Sequence, residues 1–473
     1  MLSLSKHASW QWLESCFDRL SMTLIVLMTL PLLSSEAFPQ NYHAEAKSYG
    51  TKPESDVPQY ARTLSETGIE SLKKIDWIDA GLQYRVRFEE RENDFSRSID
   101  STDTPILSRA RAYLGVKKFL DPFRFTLELQ DSRKFHSKFA NSDSEVNELD
   151  FIQSYGELHF KNALGDQRPI SLRVGSMAFE LLDKRFVARN EWRNTTNNFQ
   201  GFRAIFGQEK NNWQLDTFAL QPLTRQLYKT DHRNNDQWFY GAVGNWRGWS
   251  SVAIIQPFYF RLDQNKTATL SKRKIHSAGL RSYGVFGESG FDFDFIAVSQ
   301  FGENASQKQR AFASVAEIGY SFKQAWKPRL SGNYGYASGD KNSNDNKDQR
   351  FEKLFGFSRP WSSNDYFQWE NIRAAKTRLE LEPNKKLRID AGYGLYWLAS
   401  SSDRWNKANL RDSSGSSGNF IGQEFDARIR YNLKSNLDGT LGYATFKPGE
   451  FTRATSRNNS SNFFYFELVW SLF

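Results

Sequence analysis

Phe123-Arg-Phe-Thr-Leu-Glu-Leu-Gln130 decides the fold of this chain. In an extended backbone Phe123, Phe125, Leu127 and Leu129 fall on one side, and Arg124, Thr126, Glu128 and Gln130 on the other. The same period of two returns along the sequence. Leu82, Tyr84, Val86 and Phe88 oppose Gln83, Arg85, Arg87 and Glu89; Phe291, Phe293 and Phe295 oppose Asp292 and Asp294. Leu387, Ile389, Ala391 and Tyr393 oppose Arg388, Asp390 and Gly392, while Phe425, Ala427, Ile429 and Tyr431 oppose Asp426, Arg428 and Arg430. From Ile75 onward about eighteen such segments can be marked, with sixteen as the alternative.

The connections between segments come in two sizes. Residues 338–349, 400–418 and 452–462 are long and rich in turn formers, whereas Glu209-Lys-Asn-Asn212 is short enough for a tight hairpin. Amphipathic strands joined alternately by long and short connections predict an all-β fold, a closed antiparallel transmembrane β-barrel with long extracellular loops. The physical reason is that a strand in lipid must pair every backbone group, and only a closed sheet has no edge. A secreted β-sandwich would use the apolar face as an ordinary core. Against it stand segments of ten or more residues, aromatics near segment ends, and a final strand, Phe463–Phe473, with Phe464, Phe466, Leu468, Trp470 and Leu472 on one face.

Composition agrees. Of 473 residues 15% are aromatic, yet hydrophobic content is 39% and mean hydropathy is −0.65. A disordered chain would not carry so many aromatics. A helical membrane protein needs runs of about 20 apolar residues, and the one candidate lies before residue 35. That stretch, Met22–Leu33, followed by Ser35-Glu36-Ala37, reads as an export signal over residues 1–37. Removing it discards two bases (Lys6, Arg19), three acids (Glu14, Asp18, Glu36) and Cys16, the single cysteine, so neither a disulfide framework nor thiol chemistry is expected. Residues 38–74, interrupted by Pro39, Gly50, Pro53 and Pro58, read as a periplasmic linker with one short helix near Tyr60–Lys74. The barrel then occupies residues 75–473.

Three further stretches stand out. The first is Leu172-Arg-Val-Gly175, then Lys184–Asn190, Trp192 and Phe199-Gln-Gly-Phe-Arg203. The second is Tyr336-Ala-Ser-Gly-Asp340, before an Asn/Asp-rich stretch. The third is Trp397–Asp403 with Trp405. In their order and spacing they resemble the alginate-export family of outer-membrane barrel porins. The sequence departs from the family pattern at Gln200, where an acid is usual, and at Ser176-Met177 in place of Arg-Gln. The resemblance implies an eighteen-stranded barrel in the outer membrane of a Gram-negative bacterium, whose electropositive lumen conducts an anionic polysaccharide.

Assigning faces by alternation gives an inward set of Arg85, Arg87, Arg109, Arg111, Arg124, Arg173, Arg203, Arg378, Arg388, Arg428 and Arg430. Glu89, Glu128, Asp292, Asp294, Glu380, Asp390 and Asp426 share that face, and the bases outnumber them. The inward arginines, with Asp390 and Asp426, form the candidate substrate-binding set. A guanidinium fork stays charged and grips carboxylates, so a narrow tube lined with them raises local anion concentration. Pairing across strands, stiffening the wall, is the plainer alternative for any single arginine. The partners expected are an anionic polysaccharide, outer-membrane lipid and periplasmic export proteins, with the barrel a monomer.

No enzyme is expected. His7, His43, His136, His159, His232 and His276 have no metal-ligand spacing, and no nucleophile motif accompanies them, so neither metal nor cofactor is assigned. The one opening is a serine near His136, His159 or His276. Gly241-Ala-Val-Gly244 lacks a phosphate-loop context and reads as strand glycines beneath an aromatic. The basic balance (63 Lys and Arg against 54 acids) belongs to lumen and rims rather than to nucleic acid. The remaining alternatives are a general anion porin and a plugged structural or adhesin barrel.

Overall fold

The computed structural model describes residues 57–97 and 101–473. The signal stretch and the first part of the linker lie outside the described residues. Eighteen strands are laid down in order: β1 (Ile78–Glu92), β2 (Ile106–Val116), β3 (Phe123–Phe135), β4 (Asn147–Phe160), β5 (Ile170–Met177) and β6 (Phe199–Phe206). They continue as β7 (Trp213–Thr224), β8 (Gln237–Trp246), β9 (Ala253–Gln264), β10 (Arg273–Val285), β11 (Phe291–Asn304) and β12 (Gln307–Ser321). The circuit ends with β13 (Arg329–Ala337), β14 (Ile372–Asn384), β15 (Leu387–Trp397), β16 (Phe420–Lys434), β17 (Leu437–Pro448) and β18 (Ser461–Ser471). Each pairs antiparallel with its neighbours in sequence. β18 returns to β1, with Gln83 opposite Ser471 and Glu92 opposite Asn462, so the sheet closes. Closure is what permits a sheet to stand in hydrocarbon, because no row of N–H and C=O groups is left at an edge.

The alternation read in the sequence is the alternation of the wall. Phe123, Phe125, Tyr84, Leu82, Phe295, Tyr393 and Phe425 are exposed on the outside, whereas Glu128, Gln130, Asp292, Asp294, Asp390 and Asp426 are buried within. Phe160, Trp246, Phe291, Tyr431 and Trp470, all exposed, lie at strand ends on the short-turn side. Aromatics at that height form the interfacial girdle of a membrane barrel. No helix among the described residues is long and apolar enough to span a membrane; the strands do so.

One end of the barrel carries short turns, such as residues 117–122 and 385–386, and β1 begins and β18 ends there. The other carries the long connections, including residues 178–198, 338–371 and 398–419, and a six-residue helix, α1 (Glu450–Thr455). The shortest strands, β5 and β6 with eight residues each and β13 with nine, flank the two connections that fold inward. Residues 57–74 contain no α-helix. Arg62–Thr63 pairs with Ala80 and Asp79 of β1, and two single 3-10 turns follow, Leu64–Glu66 and Glu70–Leu72.

Candidate functional site

Two loops occupy the lumen. The β5–β6 loop (178–198) divides into an apolar half, Phe179-Glu-Leu-Leu182 with Phe186-Val-Ala188, and a polar half, Arg189-Asn-Glu-Trp-Arg-Asn-Thr-Thr196. The apolar half lies against the β13–β14 loop (338–371). Their backbones pair, Phe355 N–H donating to Phe186 O at 3.1 Å and Ala188 N–H to Phe355 O at 3.3 Å. Phe186 packs on Phe351, Trp369 and the wall residue Phe260, with ring centres 5.6 to 5.7 Å apart. Phe186, Phe351, Trp361 and Trp369 are among the most completely buried large side chains. At about 1.5–3 kcal/mol for each such side chain, burying these four is worth roughly 6–12 kcal/mol. The apolar side of the plug therefore stays seated at thermal energies.

The polar half runs along β1–β3 and, through Trp192, β18, and here four of the sequence-assigned arginines are found. Arg85 and Arg109 sit opposite each other across β1 and β2. Like charges at that spacing repel, and the loop relieves them. Arg85 donates to the carbonyls of Glu191 (3.0 Å), Trp192 (3.3 Å) and Arg193 (3.0 Å), and Arg109 to those of Glu191 (3.1 Å) and Arg193 (3.2 Å). Arg87 donates to Trp192 O at 2.8 Å and lies 3.9 Å over its indole ring. Glu191 places its carboxylate 2.5 Å from Arg111, 3.4 Å from Arg109 and 2.6 Å from Arg189. Burial alone would raise its pKa, but Arg111, Arg189 and Arg109 outweigh it and hold the carboxyl well below the usual range.

The remaining sequence-assigned residues are paired differently. Arg173 faces Glu157 at 3.4 Å and Arg203 grips Asp216 at 2.5 Å, both deep in the wall. Arg378 bonds Asp390 at 2.7 Å and approaches Asp426 at 3.6 Å; Asp426 also takes Lys376 at 2.6 Å. Arg428 and Arg430 reach the same Asp390 at 3.0 and 3.3 Å. Exposure of these side chains rises toward the short-turn end, from 4% at Arg378 through 19% at Arg428 and 39% at Arg430 to 59% at Arg388, which meets Glu382 at 3.3 Å. Arg124 stands at the same end, half-buried, 3.0 Å from Asp121. The set is thus one face but three environments: a quartet under the loop, buried cross-strand pairs, and a wetter group near the turns.

Sequence reasoning missed the loop as the arginines' counterpart. It also missed Arg281 on β10, which holds Asp294 at 2.6 Å and donates to Leu182 O at 2.8 Å, and Arg359, whose guanidinium lies 3.6 Å from the Trp192 ring centre. The available signal was apolar residues inside long connections, as in Phe179–Leu182 and Tyr366-Phe-Gln-Trp369. Two quoted motifs converge. Asp340 N–H donates to Asp403 at 2.9 Å, Ser400 Oγ donates to Asp340 O at 2.9 Å, and Arg350 also clamps Asp403. They bind the β13–β14 and β15–β16 loops together.

His159 Nδ1 is 2.8 Å from Ser171 Oγ and 3.8 Å from Glu157. The same nitrogen faces serine and acid, which is not the two-sided arrangement of a Ser-His-acid relay. His276 lies on the outer face, stacked on Phe301 and touching Tyr259. Among the described residues no group of three or more His, Cys, Asp or Glu side chains could hold a metal.

With this geometry the sequence matches the family model described as alginate export over residues 76–466. The chain belongs to the alginate-export family. No curated protein matches the sequence. Among solved structures, OccAB2 of Acinetobacter baumannii superposes with a TM-score of 0.59 at 11% identity, covering 84% of this chain and 98% of that one. OpdQ of Pseudomonas aeruginosa gives 0.58 at 15% identity, over 84% and 98%. The outer membrane protein OprD of the same species gives 0.55 at 11%, over 84% and 94%. At such identities the likeness is one of fold. This alginate-export family member is an outer-membrane channel protein of Gram-negative type, and its family and fold are those of channels rather than enzymes.

Proposed function

We propose that the barrel passes an anionic polysaccharide or oligosaccharide, alginate-like, along its inward arginines. The observation that carries this reading is the Arg85–Arg87–Arg109–Arg111 quartet, four guanidinium groups facing the lumen on two adjacent strands and satisfied largely by a loop. A carboxylate-bearing polymer presents the same acceptors as that loop. Individual exposed contacts are worth about 0–1 kcal/mol, and weak repeated contacts are what conduction needs, since a tight site would hold the polymer.

The apolar plug favours one competing reading, a closed structural or adhesin barrel. Planar-bilayer recording separates the two. The channel reading expects conductance that is blocked by oligouronate and not by a neutral glucan of equal length. Absence of any conductance would favour the closed barrel. Conductance of small anions without polymer block would favour a general anion porin. Periplasmic export proteins are proposed partners, approaching the short-turn end where residues 57–74 lie. The export signal at residues 1–37 and a monomeric state complete the reading.

A further inference from the structure

Every acid on the β5–β6 loop has a counter-charge, but the counter-charges differ in origin. Glu180 pairs with Lys184 at 2.9 Å and Asp183 with Arg185 at 2.8 Å, both within the loop. Glu191 alone of the three takes wall arginines, Arg109 and Arg111. Its side chain keeps 29% of its exposure, although those two arginines are almost wholly buried. The carboxylate is therefore the open face of a closed seat.

The backbone beside it repeats the theme. From Glu191 to Arg193 three successive carbonyl oxygens accept from Arg85, Arg87 and Arg109. The segment presents to the wall one carboxylate and a row of neutral oxygen acceptors. A uronate residue in a polysaccharide presents one carboxylate amid hydroxyl, ring and glycosidic oxygens, so the two are matched in charge and in acceptor type.

We propose that Glu191 is a tethered competitor for the cargo: its carboxylate fills the Arg109–Arg111 seat that a uronate carboxylate takes when residues 189–196 swing away from β1 and β2. The inference rests on the anion-path reading above and specifies how that path is kept shut. Exchange of one carboxylate for another keeps Arg109 and Arg111 paired at either stage, which avoids the cost of an unpaired buried charge there. Arg85 and Arg87 meanwhile trade the loop carbonyls for the polymer's neutral oxygens. The anchor for the swing is the apolar half of the loop. A cargo lacking carboxylates cannot replace Glu191 and does not open the path.

The test uses the full-length barrel in planar bilayers, with wild type, E191D, E191Q and E191Q/R111Q. Removing a built-in competitor raises the binding-competent fraction, so E191Q should lower the half-blocking oligouronate concentration by about tenfold and open more often without polymer. E191D, which keeps the carboxylate but sets it one methylene back, should fall between wild type and E191Q, and E191Q/R111Q should lose the gain. A wild type blocked by oligouronate together with an E191Q curve that superposes on it overturns the inference and leaves the anion path standing. A wild type that conducts but ignores oligouronate sinks the anion path itself. Independently of any variant, hydrogen exchange over residues 189–196 of wild type should rise on adding oligouronate and not on adding its methyl ester; unchanged exchange with demonstrated block contradicts the swing.

Discussion

The hydroxyl of Tyr60 donates to Glu128 on β3 at 2.6 Å, and the same carboxylate receives Arg189 of the β5–β6 loop. Tyr60 belongs to the segment that enters beside β1 at the short-turn end, and Arg189 to a loop that descends from the opposite end. One buried acid therefore ties the segment before β1 to the β5–β6 loop. Gln153 supplies a third bond to it at 2.6 Å.

Removing the Tyr60 hydroxyl should loosen the loop as well as the segment before β1. Hydrogen bonds to a charged group contribute about 1.5–3 kcal/mol, so Y60F should lower stability by that order and raise current fluctuations in bilayers. A double-mutant cycle of Y60F with R189Q should show coupling well above experimental scatter. Strict additivity would mean that the segment before β1 and the loop are independent.

Gly335 on β13 tests the seating of the other loop. A Cβ there would lie 2.3 Å from the Trp361 ring, so the indole rests on bare backbone. Gly241 is similarly covered by the Phe218 ring. G335A should cost about 1–3 kcal/mol through overpacking and displace Trp361, raising single-channel conductance. Unaltered conductance with unaltered stability would show that the β13–β14 loop does not restrict the lumen.

The β7–β8 loop should respond to pH. Burial, reinforced by neighbouring Asp150, pushes the Asp231 carboxyl up to about 7, against bonds from Gln226 N–H and Asn147. A carboxyl that keeps its proton in the folded state and loses it in the unfolded state near 4 stabilises the fold at low pH. That contribution declines as pH rises and is gone above about 7. Protection of the amides in residues 225–236, taken relative to their intrinsic base-catalysed exchange at each pH, should therefore be lower at pH 8 than at pH 5.5, and D231N should flatten the difference. Equal protection in wild type at both pH values would refute it.

Much of this was legible in the sequence. Phe123–Gln130 and its counterparts show the period of two, and a period of two with no apolar run long enough for a helix leaves a closed sheet as the membrane solution. Inward arginines such as Arg85 and Arg428 follow from the same alternation. Their partners do not. Whether Arg111 faces water, cargo or Glu191 depends on the path of residues 178–198, and a loop's path is set by distant contacts such as Phe186 on Trp369. Alternation also gives no height within the barrel, so Arg388 near the turns and Arg378 deep in the wall looked equivalent.

The central claim is that the inward arginines make the lumen an anion path. The most direct measurement is the zero-current potential across a tenfold KCl gradient for wild type, R85Q/R109Q and R428Q/R430Q. The account predicts an anion-selective potential in wild type that moves toward zero in both double variants, with weaker block by oligouronate. Full anion selectivity retained in both variants would contradict it.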